Sequence, residues 1–190
     1  VTNLTGADSK LRCILSDPES GTRVEIFEKL VSSMSSDNLN IPDPSELIDR
    51  YTRLCESRIS RAPEIKGARI CLDRLKEWGL RLWVNSLTPT ETLKRIVELR
   101  GWNLCFDGIS GAPTGKTENL KFILREERVA SEELVMVGDS DSDQDAARNI
   151  GCHFIGVLPG NSSQFREAPV RKVESLDGLI DMINLLKGLA

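Results

Sequence analysis

The sequence predicts an α/β fold: a three-layer core built on a parallel sheet, with a small helical cap. From about residue 65 onwards, segments with apolar residues at helical spacing alternate with short apolar segments, which is typical of βαβ units around a parallel sheet. Residues 22–62 contain two helical stretches joined by a polar, proline-containing loop, with no strand between them. We therefore expect residues 1–21 and 63–190 to form the core and residues 22–62 to form the cap.

The individual helices and strands are predicted from the spacing of apolar residues and from the glycines at the ends of the apolar segments. A helix that ends at Gly79 is expected to carry Ile70, Cys71, Leu75 and Trp78 on one face. Short apolar segments predict the strands, and apolar residues three or four apart predict the helices between them. The predicted strands are LRLWV (80–84), NLCF (103–106), LVMV (134–137) and HFIGV (153–157), and the predicted helices lie at about 89–100, 117–127, 141–150 and 175–187.

Composition and charge exclude several functional classes. The chain has 190 residues, of which 39% are hydrophobic and 28% charged, as in an ordinary globular protein. Its net charge of -4 provides no basic surface for nucleic acid or an anionic membrane, so the expected partner is a small molecule. No signal peptide is recognisable and no apolar run approaches the roughly 20 residues of a membrane span. A cytoplasmic location is expected, and the oligomeric state stays unknown.

The cysteines and the single histidine are expected to be structural. Five cysteines are scattered singly without metal-ligand spacing, and most lie in apolar segments, so we expect buried, reduced thiols. His153 begins a predicted strand and has no partner for a catalytic triad. The cysteines are Cys13, Cys55, Cys71, Cys105 and Cys152.

Polar residues follow three of the predicted strands. Asn85 and Ser86 come after LRLWV, Lys116 follows NLCF after a turn, and Asp139 and Asp143 follow LVMV. The carboxyl ends of parallel strands are where open α/β sheets bind ligands, so these side chains are expected to face one crevice. A hydroxyl, an ammonium and paired carboxylates are the groups that phosphoryl transfer with Mg²⁺ needs.

At these positions the chain resembles the haloacid-dehalogenase-like hydrolases. The run MVGDSDSDQDAARNIGCHFIGV is similar to their acidic fourth motif, LRLWVNSLTP to their second motif, and GAPTGKTENL to their third. The resemblance extends over about residues 63–157. It implies a Rossmann-like core with a helical cap, Mg²⁺ as cofactor, an aspartyl-phosphate intermediate and a small phosphorylated metabolite as substrate. By position it implies that Asn85, Ser86 and Lys116 bind the phosphate, and that Asp139 and Asp143 serve the metal.

The first motif of that family, DxDGT, has no intact copy in this sequence, and two interpretations are open. In the first, LRCIL (11–15) is the opening strand and DPESGT is a stretched first motif. Asp17 is then the nucleophile and a metal ligand, and Glu19 the general acid and base. In the second, residues 1–62 all belong to the cap, and the catalytic strand lies upstream of Val1 or is absent.

Two other functions compete with a phosphatase. A protein of the same fold without the nucleophile would bind phosphate or Mg²⁺ and hydrolyse nothing. SGAPTGKT also comes close to the phosphate-binding loop GxxxxGK[ST] of nucleoside triphosphatases. However, Ser110 stands at its first glycine, and Pro113 removes one N–H from a loop that works through its N–H groups.

Overall fold

The computed structural model describes residues 7–16, 23–34, 43–158 and 165–187. The chain divides into two compact units, Val1–Ile59 and Ser60–Ala190. In the described part of the chain, no helix is both long enough and apolar enough to cross a membrane. The sequence-based division into a core of 1–21 and 63–190 and a cap of 22–62 stays a prediction.

The first unit is helical, with α1 (Ala7–Ser16), α2 (Arg23–Met34) and most of α3 (Pro44–Arg61). The Lys10 ammonium donates a hydrogen bond of 2.7 Å to the Ser33 carbonyl, which joins α1 to α2. The rings of Phe27 and Tyr51 meet edge to face, with centroids 5.4 Å apart, which joins α2 to α3. Both helical stretches predicted between residues 22 and 62 are therefore present.

Of the two interpretations of residues 11–15, the opening strand is wrong, because these residues lie in helix α1. Leu11 and Ile14 are half-buried, whereas Arg12 and Leu15 are exposed, so the apolar side chains follow the spacing of a helix. An ion pair of 3.4 Å between Asp8 and Arg12, four residues apart, adds to this arrangement. DPESGT therefore does not follow a strand, as the interpretation of it as a first motif requires. Asp17 and Glu19 lie outside the described residues.

The second unit alternates strands with helices, as the sequence predicts. After α4 (Ala68–Glu77), the order is β1 (Trp83–Pro89), α5 (Thr90–Leu99), β2 (Gly108–Ala112), α6 (Lys116–Glu127), β3 (Val135–Gly138), α7 (Asp141–Ile150), β4 (His153–Val157), β5 (Lys172–Val173) and α8 (Leu179–Lys187). Short 3₁₀ helices lie at Ser131–Glu133 and Leu176–Gly178. This is a mixed α/β architecture of the Rossmann-like type.

All paired strands of this unit are parallel, and they form two groups. β1 pairs with β2, with Asn85 opposite Ser110, and β3 pairs with β4, with Val135 opposite His153. β5 adds to the far side of β4. The groups β1–β2 and β3–β4–β5 share no ladder hydrogen bonds in the described residues.

Two apolar clusters place the strands between layers of helices. One cluster contains Cys71 and Leu75 of α4 together with residues of α8, and the other contains Leu120 of α6 and Ala147 of α7. Side chains of β3 alternate between them, because Met136 packs in the second cluster and its two valine neighbours pack in the first. The three-layer core follows from this alternation.

The strand predicted at NLCF is wrong. Residues 103–105 form a turn in which the Cys105 N–H donates to the Trp102 carbonyl at 2.9 Å, and Leu104 is 86% exposed. The strand is instead Gly108–Ala112, which has no apolar run to reveal it. Its glycines are required by close contact, since a Cβ on Gly108 would lie 2.2 Å from the Trp83 ring and one on Gly111 would lie 2.3 Å from the Thr88 carbonyl oxygen.

Three smaller expectations also need correction. β1 begins at Trp83 and not at residue 80, because the Leu82 N–H donates to the Asp107 carboxylate at 2.7 Å and not to a neighbouring strand. Ile70 is 73% exposed and does not share the buried face of Cys71 and Leu75. Cys13 is exposed, although the other four thiols are buried or half-buried and all five are free.

Candidate functional site

The structure places the predicted residues of the second unit within strand β1, directly after strand β3 and in the first turns of helices α6 and α7. Ser86 lies within β1, and Lys116 is the first residue of α6 and does not lie in a loop as the sequence suggested. Asp139 follows β3 directly, and Asp143 lies in the first turn of α7. Of these residues, the structure brings Lys116 and Asp143 into direct contact, and Asn85 bonds to the Lys116 carbonyl.

Lys116 and Asp143 form the centre of the site. The Lys116 ammonium lies 2.6 Å from one Asp143 carboxylate oxygen, and the two side chains are only 14% and 6% exposed. The ammonium also donates to the Ser142 hydroxyl at 2.9 Å. Because this pair is largely desolvated and short, it fixes the lysine more firmly than an ordinary surface ion pair would.

Asp143 also closes the amino terminus of α7. Its second carboxylate oxygen accepts hydrogen bonds from the Ser140 hydroxyl at 2.6 Å and from the Ser140 N–H at 3.2 Å. A negative charge in the first turn of a helix is stabilised by the exposed N–H groups there. Gly138 makes the arrangement possible, since a Cβ at this position would lie 2.3 Å from the Asp143 carboxyl carbon.

Asn85 connects β1 to α6. Its side-chain amide donates to the Lys116 carbonyl at 3.1 Å and accepts from the Asn119 side chain at 3.0 Å. Asn119 is 4% exposed, so this buried amide pair fixes the start of α6 and with it the backbone of Lys116. Sequence reasoning missed Asn119, although an asparagine beside Leu120 on the buried face of a helix signals a polar contact. The phosphate-binding role of Asn85 stays a prediction.

Ser86 has a hydroxyl that is available as a donor. Its oxygen accepts a hydrogen bond of 3.1 Å from the Thr88 N–H, which fixes the side chain and leaves the O–H proton to another acceptor. The residue is half-buried. It is therefore suited to donate to an anionic ligand at the edge of the sheet.

Asp139 is exposed, and within the described residues its carboxylate has no hydrogen-bond or ion-pair partner. In the same part of the chain, no three histidine, cysteine, aspartate or glutamate side chains converge on a common point. Mg²⁺ is commonly held by one or two carboxylates together with waters and substrate phosphate. Asp139 fits that use, whereas both oxygens of Asp143 are already occupied by Lys116 and Ser140.

Arg166 fixes the outer side of α7 and was missed by sequence reasoning. Its backbone N–H donates to the Asp141 carboxylate at 2.8 Å, and its guanidinium donates to Asp141 at 3.0 Å and to Asp145 at 2.6 Å. Hydrogen bonding to Asp141 raises the pKa of Arg166 above its ordinary value. The acidic residues of α7 therefore have different partners. Asp143 pairs with Lys116, whereas Asp141 and Asp145 pair with Arg166.

Comparison with protein families gives a match that includes residues of both units. The model of the haloacid dehalogenase-like hydrolases matches residues 20–157, which is more than half of the chain. Among curated proteins, the phosphoglycolate phosphatase of Vibrio cholerae is 25% identical over 120 residues, covering 60% of this chain and 52% of its own. The chain thus spans about half the length of this relative.

Solved structures show the same fold at low identity. YfnB, a putative hydrolase of this family from Bacillus subtilis with bound magnesium, superposes with a TM-score of 0.72 at 16% identity, covering 95% of this chain and 81% of its own. A predicted phosphoglycolate phosphatase from Haemophilus somnus superposes with a TM-score of 0.67 at 13% identity, covering 93% and 88%.

Proposed function

Because the chain belongs to the haloacid dehalogenase-like hydrolase family, we propose that its second unit carries the phosphate-binding part of a Mg²⁺-dependent phosphohydrolase. The proposed substrate is a small phosphorylated metabolite, and the proposed intermediate is an aspartyl phosphate. The observation that carries the proposal is the desolvated Lys116–Asp143 pair at the end of β3, with Ser140 and Ser142 around it.

Each residue has a role that its contacts support. Lys116 supplies a fixed positive charge to the phosphate oxygens, and Ser86 donates its hydroxyl proton to them. Asp143 holds the lysine in place, as its two occupied oxygens indicate. Groups that are fixed before the reaction stabilise developing charge without reorganising, which is usually the largest single contribution to such catalysis.

The proposed metal ligand is Asp139, with Asp143 in support. When bound there, Mg²⁺ would offset the charge of the phosphoryl group. A test that does not depend on turnover is the melting temperature in millimolar MgCl₂ and inorganic phosphate. We expect Asp139→Asn to abolish the stabilisation by Mg²⁺ while leaving the melting temperature without Mg²⁺ unchanged.

The nucleophile and the general acid and base complete the proposed mechanism. The roles of Asp17 as nucleophile and metal ligand and of Glu19 as general acid and base stay predictions from the sequence. The strand that these roles require before Asp17 is replaced by helix α1. The other interpretation, in which residues 1–62 all belong to the cap, agrees better with the helices α1, α2 and α3. Asp17→Asn separates the two, because it abolishes turnover only in the first.

The decisive experiment is an initial-rate measurement on a panel of phosphomonoesters that includes p-nitrophenyl phosphate and 2-phosphoglycolate, with Mg²⁺ and with EDTA. Removing one group that stabilises the transition state typically lowers kcat by about 10²–10³-fold, and we expect this loss for Lys116→Ala and Ser86→Ala. Lys121→Ala is the matched control, because this lysine of the same helix is exposed and, among the described residues, pairs with Glu118 alone. Equal activity of the Lys116 and Lys121 variants would refute the proposal.

A binding protein without hydrolytic activity is the second candidate. The observation in its favour is that, among the described residues, the carboxylate paired with Lys116 is that of Asp143, whose two oxygens already accept from Lys116 and Ser140. It predicts that phosphate raises the melting temperature through Lys116 while no phosphomonoester is hydrolysed. The phosphate-binding loop of a nucleoside triphosphatase has less support, because only residues 113–115 separate β2 from α6.

A further inference from the structure

A polar cavity lies between strand β2 and helix α6. Its volume is about 520 Å³, and its walls come from residues 109–111 of β2, from Thr90 and Thr114, and from α6. Small-molecule sites in proteins have volumes of roughly 300–1,000 Å³. The residues of the candidate phosphate site do not line this cavity; they are Ser86, Lys116, Asp139 and Asp143. It is therefore a separate cavity, and it is called the β2–α6 cavity.

Two buried polar side chains on the cavity wall have unused hydrogen-bonding groups. Ser110 of β2 is 7% exposed and Asn119 of α6 is 4% exposed. The Asn119 side-chain N–H donates to Asn85, but in the described residues its oxygen accepts no hydrogen bond. The Ser110 hydroxyl has no partner in the same part of the chain. Buried polar groups are nearly always hydrogen-bonded, and an unsatisfied one is destabilising. The two groups therefore indicate an occupant that donates to Asn119 and bonds to Ser110.

The α6 wall of the cavity supplies a positive charge and an apolar surface. Glu118, Phe122 and Arg125 are spaced four and three residues apart, so they lie on one face of the helix. The Glu118 carboxylate is paired with Lys121 at 2.6 Å. The Arg125 guanidinium is exposed and forms no ion pair within the described residues. The charge that remains for a ligand is thus that of Arg125, and the Phe122 ring, 41% exposed, offers the apolar surface.

We propose that the β2–α6 cavity binds a small sugar acid, that is, a carboxylate that also carries several hydroxyl groups. The carboxylate binds the Arg125 guanidinium, whose planar fork matches the two carboxylate oxygens. Hydroxyl groups donate to the Asn119 oxygen and exchange hydrogen bonds with the Ser110 hydroxyl. The C–H groups of the ligand pack on the Phe122 ring. Each polar group that the protein leaves unsatisfied in the cavity then has a partner.

The spacing and the charges along α6 limit the size and charge of the ligand. Asn119 and Arg125 are six residues apart, which is about 9 Å along the axis at a rise of about 1.5 Å per residue. An extended six-carbon sugar acid such as gluconate matches this span. A monoanion also suits the cavity better than a phosphate dianion, because its lining residues include one cation, Arg125, and the carboxylate of Glu118.

The first experiment is isothermal titration calorimetry of the chain of residues 1–190 with sodium gluconate. We expect binding to a single site. Sorbitol has the hydroxyl groups without the charge, and hexanoate has the charge without the hydroxyl groups. Each should bind about tenfold more weakly or worse, because each lacks one set of hydrogen bonds. Absence of gluconate binding, or hexanoate binding of equal affinity, overturns the proposal.

Two substitutions in the wall locate the bound gluconate. Arg125→Ala should weaken binding by about tenfold, and Ser110→Ala should weaken it as well. The melting temperature without gluconate should stay that of the parent, because neither side chain has a partner in the described residues. Arg128→Ala is the matched control, since this exposed arginine follows α6 directly and does not line the cavity. An Arg125→Ala variant with the affinity of the parent contradicts the proposal.

Lys116 at the start of α6 is also placed to hold an anion, so Lys116→Ala separates the two sites. Gluconate binding should survive this change, because Arg125 lies nine residues further along the helix, a distance of about 14 Å along its axis. If Lys116→Ala abolishes binding and Arg125→Ala does not, gluconate occupies the candidate phosphate site and the proposal is wrong. None of these measurements uses turnover, so the cavity and the proposed phosphohydrolase activity are tested separately.

Discussion

At the scale of single residues, the site depends on a few contacts that allow little substitution. Gly138 is the clearest example, because the Asp143 carboxylate passes directly over its Cα. A side chain there would push the carboxylate away from both Lys116 and Ser140. The glycine before the aspartate is therefore required by packing, since it carries no positive φ.

Gly138→Ala is expected to lower the free energy of unfolding by about 1–3 kcal/mol, as overpacking of a filled site does. It should also weaken phosphate binding, because Asp143 no longer holds Lys116. The measurement is urea unfolding with and without phosphate. Gly115→Ala is the control, since a Cβ at Gly115 meets no atom within 4 Å, and its stability should stay within about 0.5 kcal/mol of the parent. Equal effects of the two variants would contradict this account.

At the scale of elements, the charged side chains near the amino end of β1 connect helices and strands, whereas those at the other end of the strands belong to the candidate site. Near the amino end of β1, the Asp107 carboxylate accepts from the Lys76 ammonium at 2.9 Å, from the Arg81 guanidinium at 2.6 Å and from the Leu82 N–H. The Trp83 indole donates to Glu127 at 2.6 Å. These contacts join α4, β1 and α6, so this group of charges stabilises the fold, whereas the charges at the carboxyl ends face the candidate site.

The Asp107 contacts predict a pH dependence of stability. Burial favours the neutral acid, but the hydrogen bonds from Leu82 and Lys76 outweigh it and lower the pKa of Asp107 below its ordinary value. A carboxyl group with a lowered folded-state pKa stabilises the fold above its unfolded pKa, near 3.9, and this contribution is lost as the pH falls further. Asp107→Asn should therefore destabilise the protein at pH 7, and by less as the pH falls below about 3.9.

The measurement is urea unfolding of the parent and the Asp107→Asn variant at pH 7 and at pH 3. Asp73→Asn serves as the control, because Asp73 is an exposed carboxyl of the same helix as Lys76. The interpretation fails if the Asp107 variant loses as much stability at pH 3 as at pH 7.

At the scale of the whole molecule, the cysteines report separately on the two units. Cys13 is exposed on α1, and Cys71 is buried in the core of the second unit. Burial, followed by the nearby charge of Asp177, raises the pKa of the Cys71 thiol, so less of it is thiolate at any given pH. Its modification therefore requires the second unit to open.

Labelling with a thiol reagent at pH 7.5 should show Cys13 reacting in the first, fast phase. Cys71 should react only at the rate at which the α/β unit opens, and urea should accelerate it. Mass spectrometry of the labelled fragments identifies each thiol, and Cys13→Ser should remove the fast contribution of that residue alone. Rapid labelling of Cys71 without denaturant would mean that the packing of α4 against α8 does not protect this thiol in solution.

The sequence by itself determined the α/β class and the helices of the second unit, whereas the roles of Asn85, Ser86, Lys116, Asp139 and Asp143 stay predictions. Apolar spacing and the run VGDSDSD are local signals, and β4 was predicted to the residue. Tertiary structure decided the secondary structure of those segments whose local sequence pattern fits more than one element. Residues 11–15 became a helix and NLCF a turn, because a short apolar run fits a strand or a helix until its neighbours are known.

The division of labour within the site was also decided by the tertiary structure. The sequence places carboxylates and a lysine near strand ends, but only the fold shows that Asp143 is bound to Lys116 and that Asp139 has a free carboxylate among the described residues. The absence of ladder hydrogen bonds between β1 and β3 in the described residues is equally invisible in the sequence. Strand pairing joins residues far apart in the chain, and its free energy depends on which neighbours are present to bury both faces.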